Sequence, residues 1–205
     1  MFGDPVTNPK KWPMDKIGNL AYSITAGQSL KGDSRPMQDG EKAVLKVSAV
    51  TYGYFNADEY KVIQDYKTIK KYVYPEAGDL LFSRANTRGM VGATALITRD
   101  YPNLLLPDKL WKIVFIEQVT PVYMKFVLSS ETMRKEMSER ATGTSGSMFN
   151  ISMEKVKSIS VPIPNLQLQE KFTLFVQQTD KSKFNAGFIC NILGDILENI
   201  GLTRR

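Results

Sequence analysis

The stretch Gly78–Ile97 reads GDLLFSRANTRGMVGATALI, two apolar runs on either side of a polar loop. Glu76-Ala77-Gly78-Asp79 has turn composition, so Leu80-Leu81-Phe82-Ser83 is predicted as a strand that begins at a Gly-Asp turn. Asp79 is expected to hydrogen-bond local backbone. Val91–Ile97 is a second strand candidate, and the two predict a hairpin with a long tip, Arg84-Ala85-Asn86-Thr87-Arg88-Gly89.

On the N-terminal side of this hairpin, Tyr72–Pro75 is short and extended. In Asp58–Lys71 the spacing of Val62, Ile63, Tyr66 and Ile69 predicts a helix. Ala43–Val50 (AVLKVSAV) alternates in part and predicts a strand with Leu45, Val47 and Ala49 on one face, followed by a turn in TYGYF, Thr51–Phe55. Gly27–Glu41 is a polar loop. The residues up to Gly18, with Pro5, Pro9 and Pro13, are an irregular lead-in that Trp12 anchors.

On the C-terminal side, Lys112–Ile116 predicts a short strand. Thr120 is a good N-cap and Pro121 suits the first helical position. Val122, Tyr123, Phe126, Val127, Met133 and Met137 then predict one helix that ends at Gly143. Thr142–Asn150 is small and polar, and Val156–Val161 is a strand candidate closed by Pro162 and Pro164.

From Gln167 the pattern changes. Leu168, Phe172, Phe175, Val176 and Thr179 give a helical stripe, which Phe188, Ile189, Ile192, Leu193, Ile196, Leu197 and Ile200 continue in steps of three and four. One reading is a single helix roughly 50 Å long, which a small domain cannot cover and which therefore packs on another helix. The other is two shorter helices in the same core, broken near Asn185–Gly187. The fold class expected is α+β: a globular mixed sheet-and-helix domain over 1–164, then a helical arm over 165–205.

The chain has 205 residues, no histidine and one cysteine. Without histidine there is no Ser-His-Asp triad and no His-containing zinc site, and one cysteine makes no disulfide. Cys190 lies among apolar residues and reads as a packed side chain. Asp58-Glu59 reads as a solvated face. No metal or cofactor site is expected: the glycine-rich phosphate loops are missing, and Gly143-Thr144-Ser145-Gly146 has the wrong spacing. Asn8-Pro9-Lys10-Lys11-Trp12 is faintly similar to the Asn-Pro-Pro-Tyr motif of amino-methyltransferases. It lacks the second proline and lies outside any predicted sheet, so it reads as a turn. Met1–Trp12 has no apolar leader and no stretch of ~18 apolar residues occurs, so a soluble cytoplasmic protein is expected.

Charge and loops point toward a polyanion. Net charge is +6, and residues 165–205 hold five Lys+Arg against four Asp+Glu, so nearly all of the excess lies in the preceding domain. Lys31 and Arg35 occupy the first polar loop. Arg84, Asn86 and Arg88 occupy the hairpin tip. Arg140, Thr142, Thr144, Ser145, Ser147 and Asn150 surround the loop after the helix. Arginine reads guanine, asparagine reads adenine, and hydroxyls serve phosphates. Each loop taken singly is also what an ordinary solvated loop looks like.

Several strings resemble one family, the specificity subunits of type I restriction-modification systems. Asn8-Pro9-Lys10-Lys11-Trp12-Pro13 resembles the junction leading into a target-recognition domain. Gly78–Thr87 with Val91-Gly92, and later Asp108-Lys109-Leu110-Trp111, resemble strand-and-loop strings of the family. Ala141–Ser147 through Asn150-Ile151 resembles its Gly/Ser stretch. Val161-Pro162-Ile163-Pro164 with Leu168-Gln169-Glu170-Lys171-Phe172 resembles the P-x-P and Q-x-x-[IF] start of a spacer helix. The strings occur in the family's order over most of the chain.

The resemblance implies a non-catalytic subunit that recognises one half of a bipartite DNA target. It also implies an antiparallel coiled-coil pair of spacer helices between two recognition domains. The partners implied are a modification subunit, which carries S-adenosylmethionine and methylates adenine, and through it a restriction subunit. Full-length members carry two recognition domains and two spacers, whereas this chain has one of each, as a fragment or as a half-subunit that dimerises. An oligomerising scaffold without DNA binding and a small stand-alone methyltransferase are the other readings.

Overall fold

The computed structural model describes residues 1–143 and 148–179. In chain order the elements are β1 (Met14–Lys16), α1 (Ile17–Leu20), β2 (Ala21–Ala26), β3 (Gly32–Asp33), β4 (Ala43–Leu45), α2 (Ser48–Thr51) and β5 (Tyr60–Ile63). Then come β6 (Leu80–Ser83), β7 (Ala85–Asn86), β8 (Thr94–Leu96), β9 (Leu104–Leu105) and β10 (Leu110–Phe115). The chain continues through α3 (Pro121–Ser129), α4 (Glu131–Arg140), β11 (Phe149–Asn150), α5 (Met153–Lys157) and β12 (Ser160–Pro162). A final helix, α6, is described over 166–179.

The Leu80–Ser83 run is buried throughout because β6 is an inner strand of a four-stranded sheet ordered β2-β10-β6-β8. Its period of two divides it between two cores. Leu80 and Phe82, with Trp111 of β10, face a helical layer with Tyr123, Met124, Val127, Met133 and Met137. Leu81 faces the other way, toward Ala43, Leu45, Val50 and Leu104 on or beside a second sheet ordered β3-β5-β4-β9. The layers are therefore helix, sheet, sheet. The expected hairpin is present: β6 and β8 pair antiparallel, Leu80 opposite Leu96 and Phe82 opposite Thr94.

Four expected elements take other forms. Asp58–Lys71 is β5 followed by a single 3-10 turn, Tyr66–Thr68, and not a helix. Pairing to β3 and β4 on both sides holds 60–63 extended, and Asp65 then caps the turn by accepting from Lys67 N at 2.9 Å. The strand expected over Ala43–Val50 stops at Leu45; Val47 turns helical, with φ −60° and ψ −31°, and leads into α2. The helix after Pro121 is two helices. Thr120 does cap the first, accepting from Tyr123 N at 3.2 Å, but Ser130 is extended with ψ 149° and caps a second. Within Val156–Val161 the strand is confined to the end, after α5.

The lead-in is ordered by specific bonds. Asn8 and Trp12 exchange two hydrogen bonds, Asn8 Nδ2 to Trp12 O at 2.8 Å and Trp12 N to Asn8 Oδ1 at 2.9 Å. Trp12 Nε1 donates to Phe2 O at 3.1 Å. Phe2 is buried edge-on against Tyr123 and Phe172, with ring centroids 4.8 and 5.1 Å apart. The chain then runs into β1, which pairs antiparallel with β12. Both ends of the domain thus meet α3 and α6.

Candidate nucleic-acid interface

The tip of the β6–β8 hairpin is tied to the segment after α4. β7 pairs antiparallel with β11, Ala85 opposite Asn150 and Asn86 opposite Phe149. Thr142 and Asn150 exchange backbone hydrogen bonds at 2.8 Å, and Ile151 N donates to Arg84 O at 3.0 Å. Two loops distant in sequence thereby form one surface carrying Arg84, Asn86, Arg88, Thr142 and Asn150. Thr144 and Ser145 lie outside the described residues.

Each side chain of the tip has a local partner. Arg84 forms an ion pair with Asp108, Nη2 to Oδ2 at 3.2 Å, and its Nε donates to Asp108 O at 3.0 Å. Burial raises the Asp108 carboxyl, but hydrogen bonds from Ser29 and Arg84 outweigh it and leave the group below the usual range. Asn86 Nδ2 donates to Thr51 Oγ1 at 3.1 Å, and Asn86 Oδ1 accepts from Thr87 N at 2.8 Å. The Arg88 guanidinium is exposed and lies 5.5 Å from the Phe149 ring centroid. A side chain already held in one rotamer loses less entropy when it meets a ligand.

The first polar loop is only partly joined to this surface. Ser29 Oγ donates to Asp108 Oδ1 at 2.5 Å, so the loop's start adjoins Arg84. Lys31 is exposed beside a shallow cleft with Gln64 and Asp65. Arg35 is turned to Glu41, with Nη1 and Nη2 donating to its two carboxylate oxygens at 2.7 and 2.6 Å. Arg140 is held by Glu136 at 2.5 Å and by Ser158 at 3.2 Å, on the α5 side.

Sequence patterns do not single out several residues at this surface. Tyr52 and Tyr54 are exposed and stacked, centroids 6.4 Å apart, directly after Thr51. Lys46, Lys61 and Lys109 line a groove of about 220 Å³ whose one carboxylate among the described residues, Asp108, is bound to Arg84. For the tyrosines the signal is two aromatics in TYGYF, a segment otherwise read as a turn, with Lys46 just before it; Lys61 and Lys109 come to the groove only through the fold.

On α6, Leu168 and Phe172 pack against the domain's own core, whereas Leu174 and Phe175 are exposed. Val176 borders a shallow groove with Phe126 and Phe172. Phe188, Ile189, Ile192, Leu193, Ile196 and Leu197 lie outside the described residues, as do the two alternatives for the arm beyond 179. No helix among the described residues is long and apolar enough to cross a membrane.

A family model described as the type I restriction modification DNA specificity domain matches residues 9–187. The EcoEI type I restriction enzyme specificity subunit of Escherichia coli is 24% identical over 169 residues, covering 82% of this chain and 28% of that protein. The EcoKI specificity subunit of Escherichia coli strain K12 is 28% identical over 148 residues, 71% of this chain and 32% of that protein. Among solved structures, the HsdS subunit from Thermoanaerobacter tengcongensis superposes with a TM-score of 0.56 at 15% identity, over 85% of this chain and 38% of that one. The type I S subunit from M. genitalium gives 0.58 at 13% identity, over 92% and 44%. The chain spans about a third of the length of the curated relatives it matches. On the match over residues 9–187, the chain belongs to the type I restriction-modification DNA specificity domain family.

Proposed function

We propose that the chain is a non-catalytic recognition module of a type I restriction-modification complex, reading one half of a bipartite duplex target. The observation that carries this is the family match over residues 9–187. Residues 1–164 form the reader and 165–205 the arm. The arm fixes the distance to a second recognition domain and docks the modification subunit. That subunit binds S-adenosylmethionine and in turn brings the restriction subunit. A second copy, or a second half-subunit, completes the antiparallel helix pair, and the complex works in the cytoplasm.

Two features support the reading. The β7–β11 ladder gathers Arg84, Asn86, Arg88, Thr142 and Asn150 on one surface. The exposed Leu174 and Phe175 on α6 leave apolar area for a partner helix.

The test is to assemble the full chain with its modification subunit and select from a randomised duplex library. A two-part motif should emerge, and exchanging residues 1–164 for those of a relative should change one part of it. A complex that assembles but selects no sequence overturns the reading and leaves an oligomerising scaffold.

A further inference from the structure

The nine tyrosines differ in what their side chains do for the fold. The hydroxyls of Tyr60, Tyr66 and Tyr74 accept from Met37 N, Lys42 N and Lys42 Nζ, and that of Tyr123 donates to Pro162 O. Tyr101 is packed edge-on against Phe55, and Tyr72 leans on Tyr74. Tyr52 and Tyr54 serve the fold less: they are 72% and 61% exposed, and among the described residues neither hydroxyl has a hydrogen-bond partner. Tyr22 is exposed as well, but it stands without an aromatic neighbour among those residues. Two large rings left side by side in water form an apolar patch that the fold does not use.

The backbone beneath the pair is firmly held. Ala49 and Val50 are buried, Asn56 N donates to Ala49 O at 2.9 Å, and Gly53 N donates to Val50 O at 3.2 Å. Phe55, directly after Tyr54, is fastened to Tyr101 with ring centroids 4.9 Å apart. Gly53 takes φ +81° between the two tyrosines, a turn that an L side chain would strain. The rings thus sit on a short closed turn with their planes 25° apart. A platform fixed in this way loses little entropy when something lies on it.

Its position says what lies on it. Thr51, the residue before Tyr52, receives Asn86 Nδ2 on its Oγ1, so the turn is bonded to the tip residue suited to reading a base. Tyr52 also borders a cleft with Met90, at the far end of the tip. The platform therefore continues the tip surface, on a domain that carries nearly all of the chain's positive charge. In a duplex the base faces are stacked on one another, so the apolar surface that recurs along a strand whatever the sequence is the deoxyribose.

We infer that Tyr52 and Tyr54 form an apolar platform for the deoxyribose rings of the strand beside the base pair that Asn86 reads. The inference rests on the duplex-binding reading and adds a contact that involves neither charge nor base edge. Contacts to the sugar and phosphate position a protein while base contacts specify, so losing the platform weakens every duplex alike.

The experiment uses the full chain assembled with its modification subunit. It measures binding to the selected duplex and to a scrambled one across salt, for wild type, Tyr52→Ala, Tyr54→Ala and the double variant Tyr52→Phe with Tyr54→Phe. Each alanine variant is expected to weaken both duplexes by the same factor, roughly tenfold, the order that follows from returning about 50 Å² of apolar surface to water. The log–log salt slope keeps its wild-type value, because no phosphate loses a cation. The phenylalanine variant binds as wild type does. Both rings are exposed, so the urea midpoints of all variants match wild type and the loss is one of binding.

Unchanged affinity in the alanine variants overturns the inference. A fall in the salt slope, or a loss in the phenylalanine variant, moves the contact to phosphate and overturns it too. A loss confined to the selected duplex makes the rings base readers and ends the sugar assignment. Failure of an alanine variant to assemble with the modification subunit places a protein on the rings and has the same force. If wild type binds both duplexes equally and the alanine variants bind both more weakly, the platform stands and the half-target reading fails. If wild type selects its target and the variants match it, the platform alone fails; if wild type binds neither duplex, both fail.

Discussion

Arg84 Nη2 lies 3.2 Å from Asp108 Oδ2, and the same carboxylate accepts from Ser29 Oγ at 2.5 Å. This small network fastens the first polar loop, the hairpin tip and the segment before β10 to one another. It also settles how Arg84 presents itself, as a guanidinium half neutralised and fixed in orientation.

Asp108→Asn is therefore expected to act in two directions. Losing a partly exposed ion pair costs about 1 kcal/mol or less at neutral pH, while the released charge of Arg84 tightens non-specific duplex binding at low salt. The Asp108 carboxyl sits below its ordinary value, so its stabilisation is present above pH 3.8 and fades as pH falls below it. Denaturant titrations at neutral and acidic pH should show the variant and wild type converging in acid. A constant gap would mean that the network contributes nothing electrostatic.

Gln169 joins α6 to the domain. Its Oε1 accepts from Thr120 N at 2.9 Å, and its Nε2 donates to Pro164 O at 2.8 Å and Gln118 O at 3.2 Å. The side chain is fully buried. Gln169→Leu leaves a buried N–H and two carbonyls without it, a loss of about 2–4 kcal/mol. Hydrogen exchange should speed up in the first turns of α6 and at the α3 N-terminus. Faster exchange elsewhere but not at those two places would refute the anchoring role.

This bond also explains the motif read in the sequence as Q-x-x-[IF]. Gln169 accepts from one backbone donor at the start of α3, Thr120 N, and donates to Gln118 O and Pro164 O, and Phe172, one turn on, meets Phe2 and Phe126. The motif is legible in the sequence but its reason is not, because Thr120 and Gln118 lie about fifty positions from Gln169 and Phe2 lies at the other end of the chain. Other departures have similar causes. Val62, Ile63, Tyr66 and Ile69 do recur at helical steps, yet the sheet partners of β5 overrule that spacing. Ser129-Ser130 carries a cap signal inside a longer apolar period, and the cap wins. The tip residues are found from their types, whereas Thr51 and Tyr52 become visible only when α2 is folded against the β6–β8 hairpin.

Gly27 is packed against backbone. A Cβ there would stand 1.8 Å from Leu106 O, and Gln28 N donates to the same oxygen at 3.0 Å. Gly27→Ala must push the end of β2 off the neighbouring chain, with an expected loss of about 3 kcal/mol or more. Gly89 at the hairpin tip has nothing within 4 Å of its Cβ position, so Gly89→Ala should stay within about 0.5 kcal/mol of wild type. Midpoints of urea unfolding for the pair give the comparison, and equal losses would contradict the packing described.

Glu41 reports on the first polar loop. The Arg35 guanidinium, with Gln38 N, holds its carboxyl down at about 2, against an ordinary 4.5. A lowered carboxylate stabilises the fold above the ordinary value and loses that contribution as pH falls through about 2. In Arg35→Ala the Glu41 titration, followed by carboxyl carbon NMR, should return toward 4.5. An unchanged midpoint would show that Arg35 is not bound to Glu41 and stands available to DNA.

Asn86 is aimed by two bonds, Nδ2 to Thr51 Oγ1 and Oδ1 from Thr87 N. A carboxamide reads adenine by offering one donor and one acceptor side by side, so its value depends on how it is turned. Thr51→Val removes the oxygen that receives Nδ2 while keeping the shape of the side chain. The expected result is relaxed discrimination at one base pair of the selected target, by about 1–3 kcal/mol, with little change in affinity for a scrambled duplex. Arg88→Ala should do the reverse at the exposed edge, weakening both duplexes and lowering the salt slope by about one. If Thr51→Val weakens both duplexes equally, Asn86 is a structural tie within the tip and the reading of bases falls to Thr142, Asn150 and the residues between them.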